Sequence, residues 1–205
     1  KAYKRALRAR NFLLKRDSIP NWNEIKPYTK LLIENGSVIS EQRKLLVERL
    51  NTYATDFQYS ISGEDEKLEI VYRRSGEPSL SGSFEEIRSE ETKQRSTLVG
   101  PHRDDFSLNI NGLDASKFAS EGQQRSIVLS LKMAQFSVLK EIKNKNPILL
   151  IDDIFGELDN SRRIKFLSLL PKESQKFITT TNLDWLRNYR LEAYKKYSID
   201  AGKIN

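Results

Sequence analysis

One short apolar run near residue 150 constrains the fold of this chain more than any other feature. Residues 148–151 read Ile-Leu-Leu-Ile, and two carboxylates, Asp152 and Asp153, follow at once. A continuous apolar run of this length is typical of a parallel strand that is buried on both faces. Because ligands bind beyond the carboxyl ends of the strands in an open α/β sheet, the two acids are expected at the edge of a site.

The pattern after about residue 120 alternates between helical and strand signals. This alternation predicts an α/β lobe with an at least partly parallel sheet. The predicted elements are, in chain order, a helix from about Gly122, a strand over 147–153, a helix from about Asn160, a strand over 176–181, a helix over 183–189 and a final strand over 194–204.

Two weaker β signals lie upstream of that lobe's first helix. Leu68, Ile70 and Tyr72 alternate with charged residues, which predicts a half-buried strand. A polar stretch over 73–91 follows it, and the pair Asn111-Gly112 then predicts a hairpin because both residues tolerate the left-handed turn conformation.

The sequence predicts two domains, a helical arm over residues 1–60 and an α/β lobe over residues 61–205. Over residues 1–60, apolar residues recur at helical spacing and β signals are almost absent, which predicts two long helices. Pro20 and Pro27 are expected to delay or kink the second helix, and Gly36 to interrupt it.

The composition excludes several classes of site. The 205 residues include no cysteine and one histidine, so disulfides and thiolate metal sites are excluded and a zinc site is disfavoured. No apolar run approaches the roughly 18 residues that a membrane-spanning helix needs. We therefore expect a soluble, cytoplasmic protein. The chain begins with Lys1 rather than methionine, which suggests that an upstream part is absent.

The formal net charge of +7 is unevenly distributed, and no acidic residue precedes Asp17. Clustered cations favour an acidic partner, and nucleic acid is the first candidate because binding to phosphates releases counterions. A solvated helix face is the alternative interpretation. The cations of this N-terminal stretch are Lys1, Lys4, Arg5, Arg8, Arg10, Lys15 and Arg16, of which Arg5, Arg8 and Lys15 are the candidates for DNA contact.

A polar turn suited to binding an anion precedes the helix predicted near Gly122. The turn reads Ser120-Glu121-Gly122-Gln123, and the helix N-terminus behind it offers unpaired N–H groups and the positive end of the helix dipole. Downstream, one carboxylate of the Asp152-Asp153 pair can hold Mg²⁺ while the other orients or deprotonates a water. Each feature alone also fits an ordinary helix cap or turn.

The order of these motifs resembles the nucleotide-binding lobe of ABC-type ATPases, the group that includes the SMC proteins. Within that group the resemblance is much closer to the RecF family of bacterial recombination and repair ATPases. It covers nearly the whole chain in family order. The segments that carry it are "YKRALRARNFLLK" (3–15), "TLVGPHRDDFSLNINGL" (97–113), "SEGQQRS" (120–126), "IDDIFGELD" (151–159) and "YSIDAGKI" (197–204).

The resemblance implies a role for each motif residue. Asp152 matches the magnesium ligand, and Asp153 matches the catalytic carboxylate. Most ABC ATPases have the longer glutamate at the position of Asp153, and the shorter aspartate fits slow turnover. Asp159 falls on the D-loop, which crosses the dimer interface, and Thr180 stands where transporters carry a switch histidine. The signature turn, which contacts the γ-phosphate of an ATP bound by a second subunit, comprises Ser120, Gly122 and Gln123.

The segment Gly100-Pro101-His102-Arg103 is also shared with RecF-like sequences, but the residues alone suggest no mechanism for it. His102 is interpreted as a structural histidine. Arg103 and Arg125 are candidates for phosphate or interface contacts, with a solvated surface position as the alternative.

For the whole protein, the resemblance implies an ATP-driven homodimer that clamps gapped or junction DNA. It also implies that this dimer helps RecO and RecR to load recombinase. The processes implied are DNA repair, recombination, replication and the SOS response. The chain contains no Gly-x-x-x-x-Gly-Lys-Ser/Thr P-loop. It is therefore interpreted as a C-terminal fragment that alone binds no ATP and is inactive, with ATP and Mg²⁺ as cofactors of the full-length protein. Another SMC-like ATPase subunit and a non-catalytic basic DNA-binding module stay open as alternatives.

Overall fold

The computed structural model describes residues 1–63, 66–76, 78–183 and 194–204, which form a mixed α/β structure. The helices are α1 (Ala2–Arg16), α2 (Trp22–Ser62), α3 (Leu80–Glu86), α4 (Arg88–Gln94), α5 (Ala115–Phe118), α6 (Glu121–Lys143) and α7 (Asn160–Leu169). The strands are β1 (Leu68–Arg73), β2 (Asp105–Ile110), β3 (Leu113–Asp114), β4 (Leu149–Asp152), β5 (Lys176–Thr179), β6 (Ile199–Asp200) and β7 (Lys203–Ile204). Within these ranges, no helix has the length and apolar character needed to cross a membrane.

Helix α2 is continuous over 41 residues, which corrects the prediction that Gly36 interrupts it. Its N-terminus is capped by Asn21, whose side chain accepts a hydrogen bond from the Asn23 N–H at 3.1 Å. Pro27 lies in the second turn, where the helix continues through it although its ring nitrogen cannot donate. Gly36 is buried, and a Cβ there would lie 2.9 Å from Leu80 Cδ2, so this glycine permits close packing instead of ending the helix.

Helix α2 also contributes to three hydrophobic clusters along the molecule. Its N-terminal half packs with α1 and α3 around Leu32, its middle packs with β1, β2 and α6 around Ala54, and Ile61 in its last turn packs with α6, β4 and α7. The predicted boundary near residue 60 thus falls at the end of a helix that is shared by both parts. The division into an arm and a lobe stays a prediction.

A buried ion pair fastens α1 to α4. Arg10 is 1% exposed, and its guanidinium donates to both carboxylate oxygens of Glu91, at 3.0 and 2.5 Å. It also donates to Thr29 at 2.9 Å and Thr97 at 2.8 Å, and it lies 4.8 Å from the centre of the Phe84 ring. Arg10 therefore belongs to the interior, which corrects its assignment to the cationic surface.

The first sheet has the order β1-β2-β3 and is antiparallel, with Leu68 opposite Ile110 and Tyr72 opposite Phe106. Asn111 and Gly112 have φ values of 50° and 80°, so both occupy the left-handed region and the predicted hairpin is confirmed. The polar stretch over 73–91 is not a simple loop, because it contains α3 and the start of α4.

The second sheet consists of β4 and β5, which run parallel as predicted, with Asp152 opposite Thr179. The expectation that β4 is buried on both faces is wrong for this chain. Ile151 is 6% exposed, whereas Leu150 is 78% and Ile148 59% exposed. The reason is that helices α6 and α7 pack around Ile151 on one face only, in the cluster that includes Phe155.

The C-terminal residues form a small hairpin instead of the single strand predicted over 194–204. Strands β6 and β7 pair antiparallel, and Ala201 and Gly202 form the turn at φ values of 49° and 79°. The turn divides the predicted strand because two consecutive residues adopt the left-handed conformation. The helix predicted over 183–189 lies, apart from Leu183, outside the described residues.

Candidate functional site

The polar turn before α6 forms a complete capping box. The Ser120 hydroxyl accepts the Gln123 backbone N–H at 3.3 Å, and the Gln123 side-chain carbonyl accepts the Ser120 backbone N–H at 2.9 Å. Ser120 is exposed, as is Glu121. The sequence folds this way because Ser-x-x-Gln satisfies two otherwise unpaired N–H groups reciprocally. The remaining N–H groups of the first turn lie at an exposed N-terminus of a 23-residue helix.

The side chain of Gln123 is held from behind by a buried network. Its amide nitrogen donates to Glu66 at 3.0 Å, and the second Glu66 oxygen accepts from Gln58 of α2 at 2.7 Å. Gln58 in turn accepts from the Ser130 hydroxyl of α6 at 2.9 Å. The signature turn is thus connected to the long helix α2 through side chains alone.

The paired carboxylates lie at the end of β4 and are both exposed. Asp152 accepts a hydrogen bond from the Thr179 hydroxyl across the two strands. Asp153 adopts φ 44°, its backbone N–H donates to the Thr179 carbonyl at 3.1 Å, and its carboxylate accepts the Thr181 N–H at 3.3 Å. The parallel register of β4 and β5 therefore brings the acids and the threonine-rich end of β5 together.

This pair fits a magnesium ion that is shared with a phosphate ligand. Carboxylate oxygens are ligands that Mg²⁺ prefers, and protein sites often supply only one or two carboxylates beside substrate phosphates. Asp152 provides such oxygens, and the Thr179 hydroxyl orients its carboxylate by donating a hydrogen bond to it. In the described part of the chain, no cluster of three or more acidic, histidine or cysteine side chains is arranged to hold a metal.

Asp159 caps α7 and contacts the signature turn through Arg162. Its side chain accepts the Arg162 backbone N–H at 2.9 Å and the Arg162 guanidinium at 3.1 Å. The backbone hydrogen bond from Arg162 is the main reason that the pKa of Asp159 is lowered. A Cβ at Gly122 would collide with Arg162 Nη1, so the glycine leaves room for this guanidinium over the helix N-terminus.

A cavity of about 500 Å³ lies between the N-terminal turns of α6 and residues 154–158. The side chain of Arg125 crosses this region. Its Nη1 donates to the backbone carbonyl of Glu157 at 2.6 Å, and its Nε lies 3.9 Å from the Glu157 carboxylate. The candidate phosphate contact Arg125 is therefore paired within the chain, close to the segment that joins Asp153 to Asp159.

The segment 100–103 lies just before β2 and contacts α1. His102 Nδ1 lies 2.8 Å from the Tyr3 hydroxyl and His102 Nε2 lies 3.1 Å from the Thr97 carbonyl, so an imidazole with its proton on Nε2 satisfies both contacts. Partial burial lowers the pKa of His102, which favours this neutral form. Burial raises the pKa of Tyr3 to about 12. The interpretation of His102 as a structural histidine is supported, and Arg103 contacts the same Thr97 carbonyl at 3.3 Å.

The adjoining Asp104 gathers donors from three parts of the chain. It accepts from the Ser75 N–H at 2.9 Å, from the Ser40 hydroxyl at 3.3 Å and from the Tyr72 hydroxyl. Burial opposes ionisation of Asp104, but these hydrogen bonds outweigh it and lower the pKa. Residues 100–104 therefore connect α1, α2 and β1, which gives this motif a structural role.

The cationic candidates of α1 lie on one solvent-facing surface. Lys4, Arg8 and Lys15 lie within about 40° of one another around the helix axis, and Arg5 lies beside them. All four side chains are exposed. Arg16 is instead paired with Asp17 at 2.8 Å and Glu24 at 3.0 Å. We define Lys4, Arg5, Arg8 and Lys15 as the basic face of α1.

Several site residues could not be found from sequence reasoning. The switch role of Thr180 stays a prediction; its hydroxyl donates to the Asn182 carbonyl at 2.8 Å, whereas the neighbouring Thr179, which carried no prediction, is the residue that reaches Asp152. The strand register decides this, since only one residue of β5 lies opposite Asp152. Glu66 and Arg162 carried no motif signal, because their contacts with the signature turn join distant parts of the chain.

The arrangement of these parts defines a class of protein. Two helices, α1 and the long α2, precede an α/β part in which a capped helix N-terminus, two carboxylates at the end of a parallel strand and a helix-capping aspartate follow in order. This is the fold of the signature and Walker B part of an ABC- and SMC-like ATPase domain, preceded by a helical arm.

Comparison with known proteins shows which proteins the chain is similar to. No protein-family model matches the chain. It is 37% identical over 211 residues to the DNA replication and repair protein RecF of Streptococcus pneumoniae strain ATCC 700669, an alignment that covers 99% of this chain and 57% of the relative. The RecF of S. pneumoniae serotype 4 strain TIGR4 is also 37% identical, over 209 residues. Over the length that aligns, the chain is similar to RecF.

Solved structures show the same similarity. Structures of the recombination mediator protein RecF in the RecFOR pathway, one with ATP and one with ATPγS, match with TM-scores of 0.82 and 0.84 at 30% identity. They cover 100% of this chain and 56% of their own chains. The chain thus spans little more than half the length of the relatives it matches.

Proposed function

We propose that this chain is the arm and signature part of a RecF-type ATPase that acts in DNA repair, recombination and replication. The names of its relatives and the RecFOR pathway of its structural neighbours support this role. In the proposal, the full-length protein is a slow, cytoplasmic ATPase of the SOS response that uses ATP and Mg²⁺. It dimerises on gapped or junction DNA and cooperates with RecO and RecR in loading recombinase.

The observation that carries the proposal is the exposed, capped N-terminus of α6. Ser120 presents a hydroxyl beside unpaired N–H groups, and the Arg162 guanidinium lies over Gly122. These groups suit a phosphate. In the ABC-type arrangement that the chain resembles, that phosphate would belong to a nucleotide held by the P-loop of a second subunit. ATP bound by the P-loop of one subunit would then drive dimerisation by contacting the turn of the other.

The carboxylate pair would serve the nucleotide bound by its own subunit. Asp152, supported by Thr179, would hold Mg²⁺, which when bound neutralises phosphate charge. Asp153 would orient and deprotonate the attacking water. The exposed face of β4, with Ile148 and Leu150, would pack against the remaining part of the ATPase domain, which supplies the P-loop.

The proposal predicts the effect of Ser120→Arg in the full-length protein. The variant should bind ATP as the unaltered protein does, because the P-loop is untouched. It should not dimerise with ATP, because bulk and positive charge would keep the turn from the partner's γ-phosphate. Analytical ultracentrifugation with and without ATP measures this.

Two controls separate the blocked contact from a weakened helix. Ser120→Ala loses the same cap, worth about 1 kcal/mol, without added bulk, and should retain part of the dimer. Ser168→Arg places the same side chain at an exposed position of α7 and should dimerise normally. A Ser120→Arg protein that still dimerised with ATP would contradict the proposed role of the turn.

DNA contact by the basic face of α1 gives another prediction. Replacing Arg5, Arg8 and Lys15 by glutamate should weaken DNA binding and flatten its dependence on salt. If all three contact phosphates, the slope of log K against log salt concentration should fall by about 2 to 3. Fluorescence anisotropy over a range of salt concentrations measures it.

The matched control reverses three exposed cations elsewhere. Glutamate at Lys140, Lys143 and Lys145 changes the net charge equally but alters the C-terminal end of α6. An equal loss of slope in both variants would indicate a general charge effect. An unchanged slope in the α1 variant would assign α1 to a spacer or to a partner-binding surface.

A further inference from the structure

A buried carboxylate lies behind the signature turn. Glu66 is 4% exposed, and within the described residues it forms no ion pair with a lysine, arginine or histidine. Its two oxygens accept from the side-chain amides of Gln58 and Gln123. A buried carboxylate is costly unless hydrogen bonds satisfy it, so this position constrains its neighbours.

The charge of Glu66 fixes which end of each glutamine amide faces it. An ionised carboxylate only accepts hydrogen bonds, so both glutamines must present their NH₂ groups. Their carbonyl oxygens then face away. That of Gln123 accepts the Ser120 backbone N–H, and that of Gln58 accepts the Ser130 hydroxyl. If Gln123 were reversed, its NH₂ group would face the Ser120 N–H and the capping box would be lost.

We propose that Glu66 is a positioning residue that couples helix α2 to the signature turn through Gln58 and Gln123. It holds the capping box in the orientation that presents the Ser120 hydroxyl, and it makes that orientation depend on where the C-terminal part of α2 lies. A ligand that displaces α2 therefore changes the affinity of the turn for the partner's nucleotide. This inference rests on the proposed function of the turn.

The network predicts a reciprocal rescue in the full-length protein. Glu66→Gln brings an amide donor against the donor of Gln58 or Gln123, and Gln123→Glu places two carboxylates face to face. In the double variant Glu66→Gln/Gln123→Glu every donor again meets an acceptor. The carboxylate introduced at position 123 accepts from the amide introduced at position 66 and from the Ser120 N–H, while the carbonyl of that amide accepts from Gln58. The number of charges is also unchanged.

Hydrogen exchange measured by mass spectrometry on peptides covering residues 118–126 tests the positioning without ATP. Each single variant should speed exchange there by about tenfold, as expected for the loss of one charge-assisted hydrogen bond. The double variant should return to within about threefold of the unaltered protein. Gln58→Leu should also speed exchange in these peptides, although the side chain of Gln58 forms its hydrogen bonds with Glu66 and Ser130.

ATP-driven dimerisation of the same variants tests the link to function. The protein concentration for half-maximal dimerisation should rise about tenfold in each single variant and recover in the double variant. Unchanged exchange in Glu66→Gln, or no rescue in the double variant, would overturn the inference. No effect of Gln58→Leu would overturn the coupling to α2. If the unaltered protein did not dimerise with ATP, the proposed function would fail, while the exchange measurements would still decide the role of Glu66.

Discussion

Replacing Asp153 by asparagine in the full-length protein is expected to slow ATP hydrolysis by about 10²- to 10⁴-fold while the ATP-driven dimer still forms. The reason is that asparagine cannot accept the proton of the attacking water, although it has nearly the same shape. Asp153 has φ 44°, a conformation that asparagine adopts as readily as aspartate does. Its contacts with Thr179 through the backbone are unaffected by the change.

The measurement is steady-state turnover beside the sedimentation of the ATP-bound dimer. Asp56→Asn is a suitable control, because it removes an exposed carboxylate from α2 and should leave turnover unchanged. The thermal unfolding midpoint of Asp153→Asn should also match that of the unaltered protein. Turnover within a factor of about two of the unaltered rate would exclude Asp153 as the catalytic base.

The largest effect on stability is expected for Arg10→Ala, which should lower the free energy of unfolding by about 3 to 5 kcal/mol. The substitution leaves the carboxylate of Glu91 buried, with the Leu98 N–H at 3.0 Å as its remaining donor in the described part of the chain. It also removes the donors to Thr29 and Thr97. Domains are typically stable by about 5 to 15 kcal/mol, so such a loss is a large fraction of the total.

Urea denaturation of this chain, monitored by circular dichroism, measures the loss. Arg5→Ala removes an arginine from the exposed side of the same helix and should change stability by no more than about 0.5 kcal/mol. The double variant Arg10→Ala/Glu91→Ala should lose less than the sum of the single changes, because no unpaired charge is left buried. A loss below about 1 kcal/mol for Arg10→Ala would show that the ion pair is not the fastening between α1 and α4.

Sequence reasoning identified the elements whose signals are local. The Ser120 cap, the Asn111-Gly112 turn and the parallel strand that ends at Asp152 are each formed as predicted, since each depends on residues within a few positions of one another. Gly36 was misread for the same reason. A glycine in a helical pattern signals a break locally, whereas here it makes room for Leu80 from another part of the chain.

The sequence by itself determined the long helices, the hairpin at Asn111-Gly112, the parallel strand pair, the family resemblance and the positions of the motif residues Ser120, Asp152 and Asp159, because capping, turn chemistry and motif spacing are properties of short segments. Only the tertiary structure decided that Arg10 is buried on Glu91, that Thr179 is the threonine that reaches Asp152, and that Glu66 connects α2 to the signature turn. The Asp152–Thr179, Glu66–Gln123 and Arg10–Glu91 contacts join residues that are 27, 57 and 81 positions apart. They depend on strand register and helix packing, which no short segment encodes.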